Sequence, residues 1–383
     1  MGGAVDGWVD PAFGAVRDVF EASFADGRNL GAAVAVHVGG RAVVDLWGGL
    51  ADRRTRRPWE RDTACVTFSC TKAVTATAAL RVAEETGVGW DDPVASWWPE
   101  YAVAGKAATT LADVLTHRAG LPALDRPVSA AEAADPAAMA ASLARQPPAW
   151  DPGTGHGYHA FTFGWLAGEL VRRRAGATVP EYVCRHLGDE LRIGVSGAAA
   201  ERAARTAFPP ADEQAWSDAG PIGAARVDRL AAAFRDPGSL LMRATANPVA
   251  AYNDPTVLAG GWPASGLVTT ARALAGFYRD LVGGALLAPG LLAGAVRERV
   301  RGADRVLLLE SAFGLGFMLP SENFVLPEPA RRTAFGHPGA GGAVGLGDVE
   351  HQVTIAFVPN LRRDWLAGDR RAYDLVAAVY DAL

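Results

Sequence analysis

Lysine is close to absent from this chain: of 37 basic residues, only Lys72 and Lys106 are lysine. The rest are arginines, which stay protonated in proteins. Chemistry that needs a basic amine therefore has few places to sit. Cysteine is scarce too. Cys65, Cys70 and Cys184 are an odd number without metal-ligand spacing. That excludes a disulfide framework and fits free, mostly buried thiols in a reducing compartment. No uncharged apolar run reaches the ~18 residues of a bilayer span. No basic stripe points to nucleic acid, no acidic tail points to a partner, and the net charge of −5 is mild. The start, Met1 to Trp8, has neither a positive n-region nor an apolar h-region, so no secretory signal is expected and a cytoplasmic location is. The seven histidines form no His-x-x-x-His pair and no cluster with acids, so neither a metal nor another cofactor is expected.

What is present is an ordinary globular composition, half apolar and 21% charged. The length admits two domains or one large one. Residues 12–26 carry Phe13, Val16, Val19, Phe20 and Phe24 at helical spacing. Ala32–Val38 and Ala42–Trp47, two β-prone runs around Gly39-Gly40, predict a hairpin. Gly342–Val349 and Gln352–Val358 predict a second one, turning at Glu350-His351. A helix is expected over Ala372–Leu383. Between the ends, from Ser69 to Ala251, the pattern is mostly helical, and the Ala-rich stretch Ser129–Ala141 reads as helix or exposed connection. Strands at both ends with helices between them predict an α/β architecture. In it, 1–68 and 252–383 form a sheet domain, and 69–251 form an inserted, mainly helical domain.

The segment Ser69–Thr86 reads as a helix closed by Gly87. Residues three apart share a helix face, so Ser69 and Lys72 can meet. A serine hydroxyl is a poor nucleophile until a base takes its proton. Lysine serves as that base if burial and a helix N-terminus lower its pKa. The same helix end offers N–H groups to an oxyanion. The bland alternative is a capping serine followed by an exposed lysine. With eleven serines and two lysines, such a pair arises by chance in roughly 6% of chains of this composition. The apolar flanks Val66, Phe68, Ala73, Val74 and Ala76 also disfavour an exposed face. Cys70, the competing nucleophile, points elsewhere on the helix and reads as packing.

Phe68-Ser69-Cys70-Thr71-Lys72 resembles the S-x-x-K motif of the serine β-lactamase/penicillin-recognising superfamily, on its class C side and close to the β-lactamase-like (family VIII) carboxylesterases. The other pieces follow in family order, over about residues 10–380. Leu111–Leu121, with Thr116-His117-Arg118-Ala119-Gly120, is similar to the L-L-T-H-T-S-G-L segment. Asp151-Pro152-Gly153 followed by Tyr158-His159-Ala160 resembles P-G-x(n)-Y. Ala259–Leu267 looks like the glycine-rich turn before a helix, and Gly336–Gly342 matches the K-T-G place in an H-x-G form. The resemblance implies a serine β-lactamase-like fold: a central antiparallel sheet, terminal helices and an inserted helical domain. It implies Ser69 as acylated nucleophile, and Lys72 with Tyr158 as its base. It further implies an oxyanion hole from the Ser69 and Ala340 amides, and His337 lining the site with Gly339.

Two departures favour neutral esters over penicillins. Tyr158-His159-Ala160 lacks the asparagine of Y-x-N, and His337 replaces the permanent cation of K-T-G. There is no S-D-N segment, and no Gly-x-Ser-x-Gly of the α/β-hydrolases. Tyr158 alone reads as a core tyrosine; its place after a Pro-Gly loop and before the helical Phe161–Arg174 favours catalysis. His117 reads as structural, and His156 and His159 flank Tyr158, where they either touch substrate or cap the loop. Trp97, Trp98 and Trp150 read as core. Trp262 and the segment Ala207–Tyr252 are expected to help form the acyl or alcohol pocket. The expected function is ester hydrolysis through an acyl-enzyme on Ser69. The rivals are acyl transfer to a metabolite, weak β-lactam or amide hydrolysis, and a silent binding protein. The expected partner is a small-molecule ester or acyl donor, with no nucleic acid or membrane, and a homo-oligomer stays open.

Overall fold

A computed structural model describes residues 5–209, 224–362 and 369–383. In chain order its strands are β1 (Val5–Val9), β2 (Gly31–Val38), β3 (Arg41–Asp52), β4 (Arg57–Pro58), β5 (Cys65–Val66), β6 (Arg192–Ile193), β7 (Leu267–Thr269), β8 (Val300–Ala303), β9 (Glu310–Phe313), β10 (Met318–Leu319), β11 (Ala334–Pro338), β12 (Val344–Asp348) and β13 (Val353–Pro359). A ten-stranded sheet runs β1-β3-β2-β13-β12-β11-β10-β9-β8, with β4 added on β3. Its neighbours are antiparallel throughout. A small second sheet runs β5-β7-β6. The two ends of the chain meet at β2 and β13, in register from Val38↔Val353 to Ala32↔Pro359.

Both faces of this sheet are covered, which explains why β2 and β13 read as nearly continuous apolar runs. Successive side chains alternate between two cores. Ala32, Val34, Val36, Val353, Ile355 and Phe357 join one, with Val16 and Phe20 of the helix Gly14–Ala25 and Leu375 and Val379 of the helix Arg370–Tyr380. Ala33, Ala35, Ala356 and Val358 join the other, with Leu274 and Tyr278 of the helix Ala271–Val282. Alanines and glycines on that side let the helix come close: a Cβ on Gly345 would lie 2.5 Å from the Tyr278 ring.

Both expected hairpins form. Gly39 and Gly40 turn the first with φ of 56° and 78°, a conformation that favours glycine. The expected terminal helices appear as Gly14–Ala25 and Arg370–Tyr380. The Ala-rich stretch is two helices, Ala130–Ala133 and Pro136–Arg145, parted where Asp135 caps the second. The short strands β8, β9 and β10 were not foreseen, because two to four residues carry no readable alternation.

The helix expected from Ser69 starts later, at Thr71, and ends at Gly87 with φ 69°. Phe68 has φ 50°, a left-handed residue no helix continues through, so Ser69 sits in a tight turn ahead of the helix. That helix is buried nearly all round and packs on the helix Thr162–Ala175. Among the described residues no helix is long and apolar enough to cross a membrane.

Candidate active site

Ser69 is held by its neighbours' main chain. Thr67 N donates to Leu267 O at 2.8 Å, tying the turn to β7. Cys70 N donates to Thr67 O at 3.2 Å, Thr71 N to Phe68 O at 3.0 Å, and Lys72 N to Ser69 O at 3.0 Å. The Thr71 hydroxyl oxygen accepts from Leu267 N at 3.0 Å. The side chain of Ser69 is left half-buried at the edge of a cavity.

Lys72 is fully buried, with Nζ 3.3 Å from Ser69 Oγ. Nζ also donates to Ala160 O at 2.7 Å and to Ala264 O at 3.0 Å. Burial drives its pKa well below the ordinary 10.5, against a weaker opposing pull from Cys70. A neutral amine has two N–H bonds and one lone pair. The two carbonyls take the N–H bonds, which leaves the lone pair for the Ser69 proton. Once protonated, the third N–H faces the same oxygen.

Tyr158 lies beside both groups, its ring centroid 4.6 Å from Lys72 Nζ and its hydroxyl hydrogen-bonded with Ser69. Burial raises its phenol pKa, and a hydrogen bond with Ser69 partly offsets this. His337 Nδ1 lies 2.7 Å from Pro338 O and donates to it. That leaves Nε2 as an acceptor, 3.4 Å from the Tyr158 hydroxyl. Burial, then the Lys72 charge, lowers the His337 pKa to about 3, so the ring is neutral at pH 7.

The loop carrying Tyr158 is fixed from two directions. His159 uses both ring nitrogens on the main chain: Nδ1 donates to Gly157 O at 2.7 Å, and Nε2 accepts from Leu121 N at 3.0 Å. His117, at φ 61°, accepts from His159 N at 3.0 Å and packs against the Tyr158 ring. Asp304, buried, accepts from Tyr158 N at 3.0 Å and from Val306 N and Leu307 N at 2.8 Å each. Its other oxygen accepts from Ser311 Oγ at 2.8 Å, which in turn accepts from His156 Nε2 at 2.8 Å.

The Ser69 and Ala340 amides have no acceptor among the described residues. Ser69, Tyr158 and Ala340 line one cavity of ≈ 560 Å³, walled also by Phe68, Phe161, Phe208, Phe234, Met242, Tyr252 and Arg362. A serine, a buried amine, a phenol and two free amides around one apolar cavity suit acyl transfer.

The β-lactamase family profile matches residues 16–379, nearly the whole chain. The chain belongs to the β-lactamase family. Its place there makes it a serine hydrolase of the β-lactamase-like type. The esterase/β-lactamase LipL of Mycobacterium tuberculosis (strain ATCC 25618 / H37Rv) is 34% identical over 375 residues, 94% of this chain and 83% of LipL. A family VIII carboxylesterase of known structure is 30% identical, with a TM-score of 0.87 over 99% of this chain and 100% of that one. A penicillin-binding protein homologue from Caulobacter crescentus is 36% identical, with a TM-score of 0.83 over 99% of this chain and 100% of its own.

In this β-lactamase-family enzyme the structure brings Ser69, Lys72, Tyr158, His337 and Ala340 together, although they are spread over three separate stretches of chain. Other expected site residues sit behind the cavity, and so does His337, expected to bind substrate: it is buried, absent from the lining, and reaches the site through the Tyr158 hydroxyl. Trp262 is buried, its ring 5.7 Å from Phe161 and 6.4 Å from Tyr252, and these two form the wall. His159 has both ring nitrogens engaged and is absent from the lining. Gly339 is buried where the main chain passes close to Thr67: a Cβ there would lie 2.3 Å from Thr67 O. Phe208, Phe234, Met242 and Tyr252, all from the segment 207–252, line the cavity, while 210–223 lie outside the described residues. Sequence reasoning passed over Asp304 and Arg362. Asp304 two and three residues before Val306-Leu307 is a turn signal that would have found the first. No local pattern marks the second.

Proposed function

We propose that this enzyme hydrolyses carboxylic esters in two acyl-transfer steps on Ser69. The observation that carries the reading is Lys72 Nζ, 3.3 Å from Ser69 Oγ and held by two carbonyls that fill its other positions. Lys72 takes the Ser69 proton as Oγ attacks the ester carbonyl carbon. The carbonyl oxygen becomes an oxyanion and accepts from the Ser69 and Ala340 amides. As the C–O bond to the alcohol breaks, the alkoxide takes back the proton that Lys72 accepted from Ser69. Water then attacks the acyl-enzyme along the reverse proton path and frees the acid. Tyr158 acts as a neutral phenol hydrogen-bonded with Ser69 rather than as a phenolate, since burial keeps its proton on.

A neutral His337 and the missing Y-x-N asparagine favour esters over β-lactams. LipL, described as an esterase as well as a β-lactamase, supports the same reading. The test is turnover of p-nitrophenyl butyrate, with intact-mass analysis after a fluorophosphonate probe. A single adduct on Ser69, with turnover lost in Ser69→Ala, is expected. Undiminished turnover in Ser69→Ala, or an adduct elsewhere, overturns it.

A further inference from the structure

Arg362 enters the cavity wall just beyond β13 and is the only charged side chain among the described residues lining it. Its guanidinium carbon lies 4.8 Å from the Phe68 ring centroid and 4.8 Å from that of Phe208. Two aromatic rings thus cover the guanidinium, and none of its N–H donors meets an acceptor among the described residues; Nε is buried without one.

This sets it apart from the fully buried cations; Arg299, whose Nε is likewise unpartnered over Trp90, does not line the cavity. Arg371 pairs with Asp369 at 2.6 Å and donates to several carbonyls. Lys106 Nζ donates to Val103 O at 3.0 Å and Gln146 O at 2.7 Å. A desolvated charge is costly unless something pairs with it. Burial already works against the charge of Arg362, lowering its pKa.

We infer that Arg362 anchors a carboxylate on the substrate, so that the preferred esters carry an acid group a few bonds from the scissile carbonyl. The distance follows from what Arg362 touches. Phe68 directly precedes Ser69. The arginine stem packs on Gly341, where a Cβ would lie 2.8 Å from Arg362 Cγ, and Gly341 directly follows Ala340. A planar guanidinium presents a two-pronged donor edge that matches a carboxylate. The acid sits on either the acyl or the alcohol half, and the experiment separates the two. The inference rests on Ser69 being the reactive centre.

One arm compares mono-p-nitrophenyl glutarate with p-nitrophenyl valerate; the other compares 4-carboxyphenyl butyrate with phenyl butyrate. The acid ester is expected to have the higher kcat/KM in one arm. The acid-to-neutral ratio is expected to fall about tenfold or more in Arg362→Gln, mainly through KM, and less in Arg362→Lys. A ratio unchanged by Arg362→Gln in both arms overturns the anchor. Calorimetry with monomethyl glutarate reads it without turnover. Binding of monomethyl glutarate, or of 4-carboxyphenyl butyrate where the acid sits on the alcohol half, to Ser69→Ala is expected to weaken at least about tenfold on adding Arg362→Gln, and equal binding of both overturns the anchor. If neither arm shows hydrolysis, the esterase reading falls while the calorimetry still decides on Arg362.

Discussion

Asp304 holds Tyr158 by the main chain: one carboxylate oxygen accepts from Tyr158 N at 3.0 Å and from two further amides of its own turn. The phenol is thus placed by a residue 146 positions away that bonds to its main chain. Asp304→Ala leaves three buried amides without that acceptor. It is expected to lower kcat about 10- to 100-fold and to destabilise by about 1–3 kcal/mol. KM should move little, since Asp304 does not line the cavity. Asp304→Asn keeps an acceptor oxygen and should recover much of the rate. Steady-state kinetics with urea unfolding checks this; a stability loss without a kcat loss would falsify the positioning role.

Lys72 sets a pH dependence with a definite sign. The proposed base works when neutral, and burial lowers its pKa well below 10.5. Log kcat/KM is therefore expected to rise with pH and level off once Lys72 has lost its proton, well below pH 10.5. A limb that turns near 10.5 would contradict the assignment. Lys72→Arg keeps a charge that cannot leave and should cost on the order of 10³-fold in kcat. The same substitution distinguishes a base from a mere cation.

Gly339 is proposed to act by letting two segments approach. A methyl group there would meet Thr67 O at 2.3 Å and Ala343 Cβ at 3.1 Å. Gly339→Ala is expected to shift the neighbouring Ala340 amide, the proposed second oxyanion donor. The loss of one oxyanion donor costs about 10²–10³-fold in kcat. Fluorophosphonate labelling rates and kcat should fall together; an unaffected rate in a folded variant would rule the idea out.

The thiols should separate cleanly. Cys65 and Cys70 are buried, and burial pushes both up to about 12; Cys70 Sγ also donates to His337 O at 3.2 Å. Cys184 is exposed. The native protein is expected to take one iodoacetamide adduct, at Cys184, and the urea-unfolded protein three. Rapid native alkylation at Cys70, with loss of activity, would return it to contention as a nucleophile.

Much of the frame was legible because it is written in short-range patterns. Gly39-Gly40 and the turn at Glu350-His351 lie between apolar, β-prone runs, so both central hairpins could be read locally. The pair Ser69/Lys72 is three residues apart, and the near-absence of lysine elsewhere made it conspicuous. The start of the helix was misplaced by two residues, because the left-handed conformation of Phe68 leaves no mark in residue type.

The sequence by itself determined the hairpins, the paired serine and lysine, and the residues of each motif, since each depends on neighbours within a few residues. Tertiary structure alone decided what those residues meet. The carbonyls that fill two positions on Lys72 Nζ come from 88 and 192 residues away. Trp262 went behind the wall and Arg362 into it, because burial is set by what packs against a side chain across the whole chain. Such contacts follow from the packing of distant elements, and no local periodicity records them.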